Sequence, residues 1–303
     1  MSRALREISR RQFGLGSLAA VAAMAVPDGA FAVSESTRRY KYCAFVKFLT
    51  SLDYDELASQ IAEAGFDGIE VTARQKDSYV NPAQAADELP RLHEALAKHG
   101  LEIMILTTDI LHADEPTAAP MLRVAKQLGV PRYRLGFYNY DLEKPIIPQL
   151  TALRPVFRDL AAMSREIGIA ALYQNHCAAK NMGATLWDLH SLIKEYPPSE
   201  MACVFDIRHA TVEGGEAWPV YWNLMLPHAT ALSVKDFRWI ERKSQHVPLG
   251  AGQVDPKFFQ MVRKSDFSGP ISVHVEYLPQ GDAAENLAAL KTDLATLRGW
   301  LEA

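Results

Sequence analysis

Ionisable and polar side chains repeatedly stand where a short apolar run of this 303-residue chain ends. Carboxylates and imidazoles at such positions can move protons or hold a divalent cation, and a lysine can stabilise a developing oxyanion. Buried polar groups are costly unless they are paired or used, so their recurrence at run ends indicates a functional site. The residues concerned are Lys47, Glu70, His112, Gln174, His176, Asp206, His209, Lys235, Asp236, His274 and Glu276.

Several of these residues, taken singly, also have a structural alternative. Asp206 is suited to cap a helix N-terminus, and His274 to be a hydrogen-bonded core histidine. Glu70 is suited to pair with an arginine one helical turn later, Lys47 to be a solvated charge, and Asp236 to pair with a surface cation. The set as a whole points to function more strongly than any one member.

The elements that must position these side chains follow a repeated pattern. An amphipathic helix ends in glycine and a β-rich run begins in "AEAGFDGIEV", "AKHGLEIMIL", "KQLGVPRYRL" and "REIGIAALYQ". Glycine just past a helix end takes the left-handed conformation that lets the chain reverse. These corners, at Gly65, Gly100, Gly129 and Gly168, indicate alternating strands and helices and hence a parallel sheet.

Eight strands are predicted along the chain. They span 41–47, 67–71, 102–107, 132–137, 169–175, 202–206, 230–236 and 270–276. Eight β/α units in about 270 residues predict an α/β fold, a (β/α)8 TIM barrel that forms a single domain over 33–303. A doubly wound open sheet is the competitor, but no G-x-G-x-x-G follows the first strand. Capping boxes are predicted at "DYDE" (53–56) and "DAAE" (282–285).

In a TIM barrel the active site lies at the C-terminal ends of the strands. Alternate strand residues face the interior, so Gln174 and His176 share a face, as do His274 and Glu276. The long loop 237–254 follows the seventh predicted strand and contains His246 among several basic residues. Such a loop is either a lid over the site or a solvated basic segment.

The N-terminus resembles a twin-arginine export signal. Arg10 and Arg11 precede a mildly apolar stretch, and "AFA" (30–32) supplies a cleavage site. A surface amphipathic helix is the alternative. A signal at 1–32 predicts a periplasmic protein whose partners include the twin-arginine export machinery.

The three cysteines, Cys43, Cys177 and Cys203, are odd in number. Each lies in or beside an apolar run, which predicts buried free thiols rather than a disulfide framework.

Charge and hydropathy narrow the class of partner. The whole chain carries a net charge of −4, and because 1–32 carries +2, the remainder carries −6. A mildly acidic protein has no electrostatic reason to hold a nucleic-acid backbone. No apolar run is long enough for stable membrane insertion. The predicted partner is therefore a small molecule, and apolar surface on the outer helices would allow a homo-oligomer.

Five motifs together resemble the xylose isomerase-like sugar isomerase/epimerase barrels, in particular their exported members. The motifs are "GFDGIEV", "DIRH", "VKDF", "VPLGAGQVD" and "GPISVHVEY". The resemblance covers essentially the whole chain after the signal. It is moderately specific for the superfamily and poorly specific for the reaction.

The resemblance implies a divalent metal at the barrel mouth. Asp206 and Glu276 match two of the family's ligands, and His209 matches a histidine that contacts substrate. Gln174 stands where a glutamate is usual and Ser233 where a histidine is usual. Asp206, Glu276 and Gln174 would form an oxygen-rich site that favours Mg²⁺ or Mn²⁺.

The mechanism expected from this architecture is proton abstraction next to a carbonyl group of a sugar. Glu276 would be the base or an orienting ligand, His209 or His176 would handle a second proton, and Lys235 would stabilise an enediolate. Substrate binding is predicted for Lys47, Glu70, His112, Asp236, His246 and His274.

The predicted function is a sugar isomerase or epimerase acting on a carbohydrate. A lyase or hydratase on a 3-keto-glycoside shares the same first step, and a sugar-binding barrel without catalysis is the alternative from another class. Metal-dependent action on abasic DNA is disfavoured by the net acidity and the depleted ligand set.

Overall fold

The structure, a computed structural model, describes residues 40–76 and 78–302. Eight of its strands are parallel and form one sheet, and two more form a hairpin. In chain order the strands are β1 (Tyr42–Phe45), β2 (Gly68–Ala73), β3 (Glu102–Thr108), β4 (Arg132–Arg134), β5 (Ala170–Gln174), β6 (Met201–Asp206), β7 (Ala229–Val234), β8 (Asp236–Ile240), β9 (Lys243–Val247) and β10 (Ile271–Val273).

The parallel strands close into a barrel in the order β1-β10-β7-β6-β5-β4-β3-β2. The prediction of a TIM barrel is therefore confirmed, and the open doubly wound sheet is excluded. Several strands are shorter than predicted, so Lys47, Lys235, His274 and Glu276 lie in the loops that follow strands rather than in the strands themselves. The predicted export signal at 1–32 lies outside the described residues.

The α-helices alternate with the strands around the barrel. They are α1 (Tyr54–Glu63), α2 (Ala85–Ala97), α3 (Ala118–Gln127), α4 (Ile146–Ile167), α5 (Trp187–Ile193), α6 (Ile207–Gly214), α7 (Trp218–Met225), α8 (Lys257–Lys264) and α9 (Ala283–Leu301). The two predicted capping boxes are present at the starts of α1 and α9. The four predicted corner glycines all have positive φ, between 69° and 87°.

The loop that follows β7 is not an irregular segment, because it contains the antiparallel hairpin of β8 and β9. The Asp236 carboxylate accepts from the backbone N–H groups of Phe237, Gly250, Gly252 and Val254. This carboxylate therefore ties the two ends of the hairpin to each other.

Inside the barrel, an apolar layer supports a polar one. Leu172, Val204 and Ala231 belong to a small buried cluster within the ring of strands. Gln174 and Asp206 stand two residues further along β5 and β6, so they face the same interior at the C-terminal end of the barrel. Alternation along the strands thus sets the position of the candidate site.

The three cysteines are free thiols, as predicted. Cys43 and Cys203 are buried in β1 and β6, whereas Cys177 is only partly buried because it lies in the loop after β5.

Among the described residues, no helix is both long enough and apolar enough to cross a membrane.

Candidate active site

The carboxylate of Glu70, on β2, is enclosed by four polar side chains. Thr107 and Ser272 each donate a hydroxyl hydrogen bond of 2.6 Å, one to each carboxylate oxygen. His274 Nε2 lies 2.9 Å from Oε2, and Arg134 Nη1 lies 3.2 Å from Oε1. Burial favours the neutral acid, but His274 and Arg134 outweigh it and hold the pKa of Glu70 far below its usual range. A fixed negative charge thus lies at one side of the barrel mouth.

Arg134 links this carboxylate to the next one through Gln174. Arg134 Nη1 donates to Gln174 Oε1 at 2.6 Å, and Gln174 Nε2 donates to Asp206 Oδ2 at 2.8 Å. The other oxygen of Asp206 accepts from the backbone N–H of His209 at 3.0 Å, which caps α6. Asp206 is therefore both a helix cap and a member of the buried polar cluster.

The ammonium group of Lys235 lies between two carboxylates. Its Nζ is 3.2 Å from Asp206 Oδ2 and 3.2 Å from Glu276 Oε2. The Lys235 side chain is 3% exposed, whereas that of Glu276 is 21% exposed. Burial opposes the charged form of Lys235, but Asp206 and Glu276 outweigh it and raise its pKa. The lysine therefore stays charged, and Glu276 is the more exposed member of the pair.

Two histidines complete the surroundings of Glu276. His246 Nε2, on β9, lies 3.4 Å from Glu276 Oε2, and His274 Nδ1 lies 3.7 Å from Oε1. Burial raises the pKa of Glu276, but Lys235 and His274 outweigh it and lower that pKa well below its usual range. Burial lowers the pKa of His246 to about 4. Glu276 is thus an ionised carboxylate beside a neutral imidazole.

A second pair of imidazoles lies next to Asp206. The rings of His176 and His209 have centroids 4.0 Å apart. Burial, followed by the Lys235 charge, lowers the pKa of His176 to about 4 and that of His209 well below its usual range. Both rings are therefore neutral near pH 7. The Cys177 Sγ atom lies 3.0 Å from His209 Nδ1.

An open cleft of about 910 Å³ adjoins this cluster. Arg208 lies between the cleft and the cluster. Its guanidinium donates to Cys177 Sγ at 2.7 Å and to Ser244 Oγ at 2.9 Å, and both of these residues line the cleft. On the cluster side, Arg208 Nη1 lies 3.0 Å from His209 Nδ1. Two indole rings, those of Trp187 and Trp239, also line it, and these residues are 56% and 43% exposed.

The profile of the family described as xylose isomerase-like TIM barrel matches residues 58–298. The chain belongs to this family. A comparison with curated protein sequences finds no significant match.

Solved structures of the same fold include enzymes of different reaction classes. The probable 3-DHS dehydratase of petrobactin synthesis from Bacillus anthracis has a TM-score of 0.65 at 15% identity, covering 84% of this chain and 98% of its own. The 3-keto-D-glucoside 4-epimerase from E. coli, in its apo form, has a TM-score of 0.63 at 14% identity, covering 86% and 99%. A xylose isomerase-like protein from Mycobacterium smegmatis in complex with magnesium has a TM-score of 0.60 at 17% identity, covering 86% and 98%. At such identities the likeness shows the fold alone.

One of these structures thus contains magnesium, whereas the three residues predicted to hold a metal in this chain already contact basic groups or one another. The Gln174 carbonyl oxygen accepts from Arg134, and its amide group faces Asp206. The ammonium group of Lys235 bridges Asp206 and Glu276. Over residues 40–76 and 78–302, no group of three or more His, Cys, Asp or Glu is placed to hold a metal ion. As arranged, these side chains do not fit a divalent cation.

The structure brings most of the predicted site residues into one cluster. Glu70, Gln174, His176, Asp206, His209, Lys235, His246, His274 and Glu276 are its members. Glu70 pairs with Arg134 rather than with Arg74, whose guanidinium contacts Asp109 at 3.0 Å. The alternative prediction, that Glu70 pairs with an arginine one helical turn later, is therefore wrong.

Three predicted substrate-binding residues make other contacts. Asp236 is buried and accepts hydrogen bonds from the hairpin backbone. The alternative prediction, that Asp236 pairs with a surface cation, is therefore wrong as well. The Lys47 ammonium lies 5.1 Å from the centre of the Phe48 ring. His112 is exposed in the loop after β3.

Two arginines of the cluster are missing from the residues predicted from the sequence. Arg134 ends β4 and joins Glu70 to Gln174, and Arg208 lies in the first turn of α6. Strand alternation in "RYRL" puts Arg132 and Arg134 on the same face. This pattern is the sequence signal from which Arg134 could have been predicted. The predicted strand extends to residue 137, so its predicted end falls beyond Arg134.

Proposed function

We propose that this family member is an enzyme that isomerises or epimerises a sugar or keto-sugar by removing a proton next to a carbonyl group. The observation that carries the proposal is the position of Glu276, an ionised and partly exposed carboxylate that lies 3.2 Å from the buried ammonium of Lys235. A base beside an electrophile is the pair of groups that enolisation needs.

Each group has a defined role in the proposed reaction. Glu276 takes the proton from the carbon next to the carbonyl, and Lys235 stabilises the negative charge that forms on the carbonyl oxygen. His176 or His209, both neutral near pH 7, exchanges the second proton. The buried chain that runs from Glu70 to Gln174 positions Asp206 and contains no catalytic residue.

Unpaired polar atoms in the cluster agree with a polar ligand. Ser233 Oγ, His209 Nε2 and His246 Nδ1 are buried and have no hydrogen-bond partner among the described residues. Buried donors and acceptors of this kind are usually paired. The hydroxyl groups of a sugar would supply the missing partners.

A second candidate function is elimination or hydration of a 3-keto-glycoside, which begins with the same proton transfer. The cleft with Trp187 and Trp239 favours it, because it lies on the other side of Arg208 from the cluster and has room for a group beyond one sugar ring. Flat aromatic surfaces bind the apolar face of such a group. An exported enzyme of this kind would act in the periplasm, with the twin-arginine machinery as its transport partner.

Solvent exchange tests the proposal. The purified protein is incubated in D2O with free ketoses and with 3-keto-glycosides, and loss of the C–H signal next to the carbonyl is followed by NMR. We expect exchange with at least one substrate and its loss in Glu276→Gln, with Glu143→Gln on the surface as the matched control. Tight sugar binding by both proteins without any exchange would instead indicate a sugar-binding barrel.

A further inference from the structure

The carboxylates of the cluster already contact basic groups, unlike those of a site built for a divalent cation. The cluster's three carboxylates, those of Glu70, Asp206 and Glu276, each contact at least one basic group, namely the Arg134 guanidinium, the Lys235 ammonium or the His274 imidazole. These carboxylates are therefore already engaged before any ligand binds.

A divalent cation would add two positive charges to an arrangement that already holds the Arg134, Arg208 and Lys235 cations. To contact both Asp206 and Glu276 it would have to displace or closely approach the Lys235 ammonium, which lies 3.2 Å from each. Like charges at such distances inside a protein repel strongly, because the interior screens them poorly.

The third predicted ligand also works against a metal. Gln174 presents its amide N–H to Asp206 Oδ2 at 2.8 Å, and its carbonyl oxygen accepts from Arg134 at 2.6 Å. Reversing the amide would set the carbonyl oxygen against a carboxylate and the NH2 group against a guanidinium. Arg134 and Asp206 therefore fix the orientation of Gln174 from its two sides.

We propose that the Lys235 ammonium takes the place of a divalent cation between Asp206 and Glu276, and that the enzyme works without a metal. An ammonium group has three N–H donors, and two of them are directed to these carboxylates. The third is left for a substrate oxygen. The catalytic part of this inference rests on the proposed function, whereas the binding part does not.

Metal binding is tested first on the wild-type protein. Its metal content is measured by mass spectrometry, and MnCl2 and MgCl2 are titrated by calorimetry and by the melting temperature, with EDTA as the reverse test. We expect no stoichiometric metal and no change in the melting temperature. A bound metal at one per chain that is lost in Asp206→Asn would overturn the inference.

Lys235→Met tests the role of the ammonium group directly. Without it, Asp206 and Glu276 lose the cation that they share, so we expect Mn²⁺ to raise the melting temperature of this variant and not that of Lys41→Met, an exposed lysine used as control. Equal responses of the two variants to Mn²⁺ would contradict the inference. If Lys235→Met does not fold, the test uses Lys235→Arg, which keeps the positive charge. We expect Mn²⁺ to leave the melting temperature of Lys235→Arg unchanged. A saturable rise in that melting temperature would overturn the inference.

Activity separates this inference from the proposed function. We expect proton exchange to survive EDTA and to fall by about 10² or more in Lys235→Met, as when an oxyanion donor is removed. Exchange that requires added Mn²⁺ would overturn the metal-free mechanism and leave the proposed function standing. Absence of exchange with every substrate, with or without metal, would overturn the proposed function, while the binding measurements would still decide whether Lys235 occupies the place of the cation.

Discussion

Glu70 and His274 form an ion pair inside the barrel, with His274 Nε2 2.9 Å from Glu70 Oε2 and both side chains at most 1% exposed. The pair joins β2 to the loop after β10, across β1, which lies between these strands in the barrel. Phe45, at the end of β1, stacks on the His274 ring with centroids 4.3 Å apart. His274 Nδ1 also lies 3.7 Å from Glu276 Oε1, so the pair helps to position the proposed catalytic carboxylate.

Glu70→Gln should therefore destabilise the fold strongly. The variant leaves Arg134 and His274 without their negative partner in a buried place, a change that typically costs about 3–5 kcal/mol. Urea denaturation measures this free energy of unfolding. The matched control is Glu102→Gln, in an exposed ion pair with Lys41, for which we expect less than about 1 kcal/mol. Similar values for the two variants would show that the buried pair has no special weight.

The fold and much of the candidate site were predictable because they depend on local pattern. The corner glycines at Gly65, Gly100, Gly129 and Gly168 have the positive φ that the helix-to-strand turns require. Alternation along the strands placed Gln174 on an inward face, since every second side chain enters a barrel.

The partners of the site residues were not predictable in the same way. Arg134 contacts Glu70, which lies on a strand two places away in the barrel and far away in sequence. Which of several carboxylates an arginine meets depends on strand register and side-chain rotamer, and a single sequence specifies neither. The contact between His246 and Glu276 was unpredictable for the same reason. The sequence pattern indicates only a loop over 237–254, whereas the structure has the hairpin of β8 and β9 there, and this hairpin brings His246 to Glu276.

Acidification should destabilise the protein through His176. Burial, followed by the Lys235 charge, lowers its pKa from 6.5 to about 4, so the unfolded chain takes up this proton first as the pH falls. Stability is then fully present above about pH 6.5 and is lost as the pH falls towards 4, by up to about 3 kcal/mol for this one group. Urea denaturation at a series of pH values measures the slope. We expect a smaller slope in His176→Asn and an unchanged one in His112→Asn, an exposed control; equal slopes in all three proteins would contradict this assignment.

Gly252→Ala should disturb the hairpin that carries His246. A Cβ atom at Gly252 would collide with the Asp236 carboxylate and with the Phe237 carbonyl oxygen, so the backbone there would have to shift. We expect a loss of about 1–3 kcal/mol together with lower activity, because His246 lies 3.4 Å from Glu276. Thermal unfolding and the exchange assay report the two effects.

The control for this substitution is Gly299→Ala, in α9, where nothing lies within 4 Å of the added Cβ. Replacing a helical glycine by alanine stabilises by about 0.5–1 kcal/mol, so this variant should melt slightly higher and keep full activity. A neutral Gly252→Ala variant would show that the loop after β9 adapts without strain.

Gln174→Glu combined with Lys235→Met should create a divalent-cation site in this cluster. The double variant replaces the amide that donates to Asp206 Oδ2 by a third carboxylate, and it removes the ammonium that balances Asp206 and Glu276. Three carboxylates without that cation repel one another and favour Mg²⁺ or Mn²⁺. We expect a lowered melting temperature that MnCl2 restores in a saturable way, measured beside Gln245→Glu, the same change at an exposed position of β9. If the double variant responds to Mn²⁺ no more than Gln245→Glu does, then the identity of these two residues does not explain why the cluster fails to fit a metal.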